Sequence, residues 1–264
     1  MKMKKILAVL MAVLMMVLCF AGCGETAQIV VAEAGSAGEE VMNTDAYFAD
    51  FTKTPVDTMA KALMEVKSGT ADMAIVDYVM SIGSIGEGTD YADLKVVEDA
   101  SFAPEKYGIA FRKGSDAVNY VNKAIKELKA DGTLNTIATK YKLQDLILAG
   151  DDYEEITAAE SDWEYIKNKG TLVVGITYFA PMNYKDDNGE LIGFETEFAK
   201  AVAEKLGLKV VFQEIDWNAK ETELASKNID CIWNGMTITE ERAENMQISI
   251  PYMENKQVGV VKAN

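Results

Sequence analysis

The sequence predicts an α/β chain. Two observations carry this: short valine- and isoleucine-rich runs of strand length alternate with longer amphipathic stretches, and the residues with binding chemistry fall where the apolar runs end. Such alternation packs helices on both faces of a sheet, and ligands of such sheets lie beyond the carboxyl ends of the strands. A chain of 264 residues suffices for two modest cores.

In chain order, strands are expected near 29–33, 72–76, 94–98, 107–112, 171–176, 209–214, 229–233 and 257–262. Helices are expected over Val56 to Lys67, Ala117 to Lys129, Glu195 to Leu206 and Lys220 to Lys227; in the third, Phe198, Val202 and Leu206 form a stripe at helical spacing. Gly83-Ser-Ile-Gly86-Glu-Gly88 has the letters of a dinucleotide fingerprint without a strand running into a helix, and is expected to be a flexible loop. Gly150-Asp-Asp-Tyr-Glu-Glu mixes small and acidic residues as a linker does, and Asp186-Asp187 precede a turn at Asn188-Gly189.

Composition removes several chemistries. There is no histidine, which excludes imidazole-dependent triads and most catalytic zinc sites. No Walker-type phosphate loop is present, so an ATPase would have to be another subunit. The formal charge of −16 disfavours nucleic acid and anionic head groups. No metal and no cofactor is expected. Of three cysteines, Cys231 lies in an apolar strand, where a small core residue is expected.

The amino terminus has the parts of an export signal: Met1-Lys2-Met-Lys4-Lys5, an uncharged apolar run from Ile6 to Phe20, then Ala21-Gly22-Cys23. Small residues before a cysteine resemble the bacterial lipoprotein signal, although Phe20 stands where leucine is preferred. The resemblance implies a signal peptide over 1–22, lipid attachment at Cys23 and anchoring in the bilayer at the outer face of the cell membrane, or else a periplasmic location.

The most informative segment is Trp233-Asn234-Gly235-Met236-Thr237-Ile238-Thr239-Glu240-Glu241-Arg242. An apolar strand ends in a glycine, a hydroxyl follows, and Thr239 can N-cap a helix with Arg242 in its first turn. The guanidinium fork matches both oxygens of a carboxylate, so the segment has the makings of a carboxylate receptor.

This segment resembles the polar amino acid branch (family 3) of the substrate-binding proteins of bacterial ABC importers. Other elements resemble that family in order: Gly170-Thr-Leu-Val-Val-Gly175 with the loop to Tyr184, Gly189-Glu-Leu-Ile-Gly193-Phe194, and Ser249-Ile-Pro251-Tyr252. Val30-Val-Ala-Glu33-Ala-Gly35-Ser36-Ala-Gly38, Ser68-Gly-Thr-Ala-Asp72 through Asp77-Tyr78, and Tyr107-Gly-Ile-Ala-Phe111 resemble the family's second lobe, and Leu128 to Leu143 its closing helices. In the family those elements follow the arginine motif; here they precede it. The resemblance therefore implies a two-lobed, type II periplasmic-binding-protein-like fold, circularly permuted. The divisions expected are a second lobe over 27–104, a return to the first lobe over 105–145, a linker joining the old termini over 146–160, and the main part of the first lobe over 161–264. Inter-lobe crossings are expected at Tyr107 to Phe111 and at Gln257 to Val261.

Carried over position by position, the resemblance implies that Phe179 and Trp217 sandwich the aliphatic part of a ligand. Gly235 would offer its carbonyl to an α-ammonium and Asp77 would pair with it. Thr237, Arg242, Ser36 and the N–H groups of Ala37 and Gly38 would hold the carboxylate. Asn234 and Met236, flanking Gly235, are counted with the site, and Trp233, Asn234, Asn183 and Glu33 are candidates for the variable end. Ala37 departs from the family's usual threonine. The function implied is extracytoplasmic capture of a free amino acid, polar in side chain, by a monomer that delivers it to permease subunits without catalysis. The alternatives are a receptor domain for a membrane kinase and a dehydratase-like enzyme on the same fold.

Overall fold

A computed structural model describes residues 27–148, 152–158 and 161–263. The expected signal over 1–22 and the lipidation position Cys23 lie outside the described residues. The first stretch is β1 (Ile29–Glu33), α1 (Ala37–Thr44), β2 (Thr52–Val56), α2 (Met59–Ser68), β3 (Met73–Asp77), α3 (Tyr78–Ser84) and β4 (Leu94–Tyr107). Next come β5 (Ala110–Arg112), α4 (Ala117–Ala130), α5 (Thr133–Lys140), α6 (Asp162–Lys169), β6 (Thr171–Ile176), β7 (Tyr184–Lys185), β8 (Leu191–Ile192) and α7 (Phe194–Lys205). The chain closes with β9 (Lys209–Glu214), α8 (Lys220–Ala225), β10 (Cys231–Ile232), α9 (Glu240–Asn245), β11 (Met246–Ile248) and β12 (Met253–Lys262).

These strands build two main sheets, one per lobe, in the orders β2-β1-β3-β12-β4 and β11-β5-β10-β6-β9. In the first, β1 runs parallel to β2 and β3; in the second, β6 runs parallel to β9 and β10. Parallel strands are covered on both faces, and β3 accordingly is buried at all five positions, Met73 to Asp77. Helix limits follow local chemistry. Thr58 caps α2 by accepting from Lys61 N at 3.0 Å, and Gly69 ends it at φ +83°. Ser161 and Gly170 do the same for α6.

Two crossings join the lobes side by side. The chain leaves β4 through Gly108 and Ile109 to enter β5, and leaves β11 through residues 249–252 to enter β12. Ser249 ties the two crossings together: its N–H donates to the Ile109 carbonyl at 2.9 Å, and its Oγ accepts from Ile109 N at 2.9 Å. Tyr252 N donates to the Tyr107 carbonyl at 3.1 Å.

Several expectations are corrected. The second crossing is not at Gln257 to Val261, because those residues lie inside the first sheet, with Gln257 opposite Asp77. The ten residues of β12 therefore belong with 29–107 and not with the rest of 161–264. Val56 ends a strand, since Thr58 sets the helix start two residues later. Gly83 and Ser84 close α3 and are not loop; Gly83 is packed so that a Cβ would stand 2.7 Å from Pro181 Cδ. In the expected linker, Ile156 is held through two hydrogen bonds to the Asn119 side chain on α4, so that part is docked.

Candidate functional site

Strand ends of both lobes converge on one cleft. Glu33 ends β1, Ser36 and Ala37 open α1, Asp77 ends β3 and Met59 opens α2; from the other lobe come Trp217, Asn234, Gly235, Thr237 and Arg242. The cavity they line has a volume of about 10 Å³ for the centre of a water molecule, so the lobes must part for anything larger than water to enter.

Arg242 is held by its own helix start: Thr239 Oγ1 accepts from Arg242 N at 3.2 Å, capping α9 as expected. Its Nη1 donates to the Thr237 carbonyl at 2.8 Å and its Nη2 to the Gly35 carbonyl at 3.2 Å. Among the described residues it makes no ion pair. Burial pulls its pKa down from the ordinary guanidinium range, opposed first by Glu105.

Asp77 occupies the N-cap position of α3 without capping it. Its Oδ1 instead accepts from Asn255 Nδ2 at 2.6 Å and Gln257 Nε2 at 2.5 Å. The same two amides donate to Glu105 Oε2 at 3.1 Å each, and Thr237 Oγ1 donates to that oxygen at 3.0 Å. Two carboxylates are thus bridged by neutral amides, and among the described residues neither has a cationic partner. Burial, then the charge of Glu105, pushes the Asp77 carboxyl up to about 7. An ammonium placed there would be doubly favoured.

Gly235 sits at φ +58°, and a Cβ on it would stand 2.8 Å from Phe179 Cζ. Its N–H donates to the Glu195 carboxylate at 2.9 and 3.1 Å. Glu195 is fully buried, also accepting from Asn183 Nδ2 at 2.9 Å and from the Tyr252 hydroxyl. Burial raises its carboxyl to about 7.

The structure therefore brings Ser36, Ala37, Asp77, Trp217, Asn234, Gly235, Thr237 and Arg242 to one cavity. Gly38 is buried one step behind, packed toward Gln257 and the Ile75 carbonyl. Met236 is not a wall residue: it is buried in an apolar cluster with Trp217, Leu224 and Ile232. Phe179 supports Gly235 from behind and is absent from the lining. Asn234 reaches the cavity, but its amide is consumed, accepting from Thr177 N and Oγ1 and donating to the Thr177 carbonyl. Asn183 is locked by Glu195 and Thr196, and Trp233 packs on Phe198 and Tyr252, so neither faces the variable end. Ser36 spends its hydroxyl oxygen as the cap of α1, accepting from Glu39 N at 3.1 Å.

Sequence reasoning missed Glu105 and Lys220. Lys220 Nζ donates to the Gly35 carbonyl at 3.0 Å and the Trp217 carbonyl at 3.2 Å, and burial together with Arg242 lowers its pKa to about 8. No group of metal-binding side chains occurs among the described residues.

Two sheets joined by paired crossings, with a polar cleft at their strand ends, define a periplasmic-binding-protein-like fold of type II. Residues 172–264 match the family model of the bacterial extracellular solute-binding proteins, family 3. The chain is 38% identical over 88 residues to the L-cystine-binding protein TcyJ of Escherichia coli K12, covering 33% of each chain. It is also 31% identical over 101 residues to the cyclohexadienyl dehydratase of Pseudomonas aeruginosa, covering 38% of each. Among solved structures, it is 39% identical to an ABC uptake transporter substrate-binding protein from Streptococcus pneumoniae with bound histidine, covering 32% of this chain and 35% of that one with a TM-score of 0.31. The matched region thus spans roughly a third of the length of these relatives.

Proposed function

We propose that this chain captures a free amino acid between its lobes and delivers it to the permease of an ABC importer. The observation that carries this is the facing of Arg242 and Asp77 across one cavity from opposite lobes. A zwitterion would place its carboxylate on the Arg242 fork and the N–H groups that open α1, and its ammonium on Asp77 and the Gly235 carbonyl. Hinge closure at the paired crossings would then bury the ligand; periplasmic binding proteins are a standard case of such closure. No covalent step is required.

The permuted order is part of the proposal. The residues that build the first sheet before position 107 resemble the family's second lobe, and the family match begins only at residue 172. Export and lipid anchoring through Cys23 are proposed on the sequence of the first 23 residues; no helix among the described residues is long and apolar enough to cross a membrane.

A second reading has one observation in its favour. Glu33 is a cleft carboxyl raised to about 8, suited to proton transfer, and one matched relative is a dehydratase. A thermal-shift panel of the free amino acids tests the first reading, because a ligand that binds only the folded state raises the melting temperature. A shift with no turnover of the ligand supports capture. No shift with any amino acid would sink it.

A further inference from the structure

Glu33 is the one cleft carboxylate that the zwitterion scheme leaves unused. It ends β1, is 2% exposed, and lines the cavity beside Trp217, Met59 and Asp77. Its Oε1 is buried without a hydrogen-bond partner, a costly state in a native site. Of the other candidates for the variable end, Asn234 is taken up by Thr177 and Asn183 by Glu195 and Thr196, while Trp233, whose Nε1 is also unpartnered, packs in the aromatic core and does not line the cavity.

The charges around it are specific. Lys220 favours its ionised form but does not pair with it, since that ammonium is held by the Gly35 and Trp217 carbonyls. Asp77 and Asp216 oppose its ionisation. With Arg242 given to a ligand carboxylate and Asp77 to an ammonium, the cavity retains an acidic group and two apolar surfaces, Met59 and Trp217, that an aliphatic stem could cover.

Resting on the reading above, we propose that Glu33 receives the far end of the ligand's side chain, and that the site selects amino acids ending in a nitrogen cation, an ammonium or a guanidinium. Such an end fills the orphaned oxygen with a donor and supplies the charge that the surrounding acids lack.

The test is calorimetric titration of the full chain with arginine and with citrulline, which replaces the guanidinium by a neutral urea of the same shape. The expected result is that arginine binds at least tenfold more tightly than citrulline, and that Glu33→Gln reduces this ratio to below threefold. The ratio is internal to each variant, so a general loss of fold does not imitate it; circular dichroism checks the variant directly. Equal affinities in the wild type, or a ratio that survives Glu33→Gln, would overturn the assignment. Preferential binding of glutamate would also overturn it, by making Glu33 a neutral donor. If neither ligand binds but another free amino acid does, the Glu33 proposal falls and amino-acid capture stands. If no amino acid binds at all, the reading beneath it falls as well.

Discussion

Arg242 donates from Nη2 to the carbonyl oxygen of Gly35 at 3.2 Å, a contact between lobes that joins residues 207 positions apart. Lys220 meets the same oxygen at 3.0 Å. Gly35 turns its backbone through φ +70° just before the helix α1 opens, so one carbonyl collects two cations from the facing lobe. The cleft is therefore held shut partly by the guanidinium proposed to receive a ligand carboxylate. Binding and closure share a residue.

Removing that guanidinium should be costly. Arg242→Ala leaves a ligand carboxylate buried without its cation, a loss of roughly 3 to 5 kcal/mol, or more than a hundredfold in affinity. Calorimetry with the best amino acid of the thermal panel measures it. A folded variant binding within threefold of wild type would take Arg242 out of the site.

Asp77 is tested by the ligand's other end. Asp77→Asn should weaken an amino acid strongly while weakening its analogue without the amino group much less, because only the former presents an ammonium to the Asp77–Glu105 pair. Equal losses for both ligands would mark Asp77 as an anchor for Asn255 and Gln257 alone.

Gly235→Ala adds a methyl at φ +58° and drives it to 2.8 Å from Phe179 Cζ. Left-handed backbone and overpacking together should destabilise the fold by about 2 kcal/mol or more. Urea unfolding reads this directly, and an unchanged midpoint and slope would mean that the turn relaxes freely.

Stability should fall as pH rises. Burial holds the carboxyl of Glu33 up at about 8 and that of Glu195 at about 7, against 4.5 for the ordinary group. Between about pH 4.5 and those values the folded chain holds protons that the unfolded chain has released, so stability is fully present below this window and is lost through it. Asp131, lowered to about 2, acts in the opposite sense but below the window. The melting temperature of the chain alone should be higher at pH 5 than at pH 8, and Glu33→Gln should narrow the difference. An identical difference in the variant would show that Glu33 titrates normally.

The permuted arrangement makes its own demand. If one chain builds the whole cleft, adding the amino acid should raise hydrogen-exchange protection at Gly38 and Thr237 together in the monomer. Protection confined to one half would separate the lobes functionally.

Much of this site was legible because its parts are local. The Gly235-to-Arg242 segment announces a turn, a cap and a cation within eight positions, and Asp77 follows directly on a buried apolar run. What was hidden depends on distant partners. Nothing near Asn234 indicates that Thr177, 57 positions earlier, takes up its amide. Glu195 reads as an ordinary acidic residue at a helix start until Gly235, Asn183 and Tyr252 close over it. Lys220 and Glu105 acquire meaning only when the lobes face each other. The strand Thr52–Val56 escaped notice because it lies at a sheet edge, carries Pro55 and shows no clean alternation.

The place of β12 has a consequence for how the molecule assembles. Met253–Lys262 is an interior strand, wedged between β3 and β4, whereas its other companions all lie before residue 108. Until it arrives, that sheet exists as two pieces with open inner edges, and pairing Gln257 with Asp77 must close a very long loop. Met253–Lys262 completes this sheet and is the same strand that brings Asn255 and Gln257 to Asp77, so the integrity of the sheet and of the pocket rest on one strand.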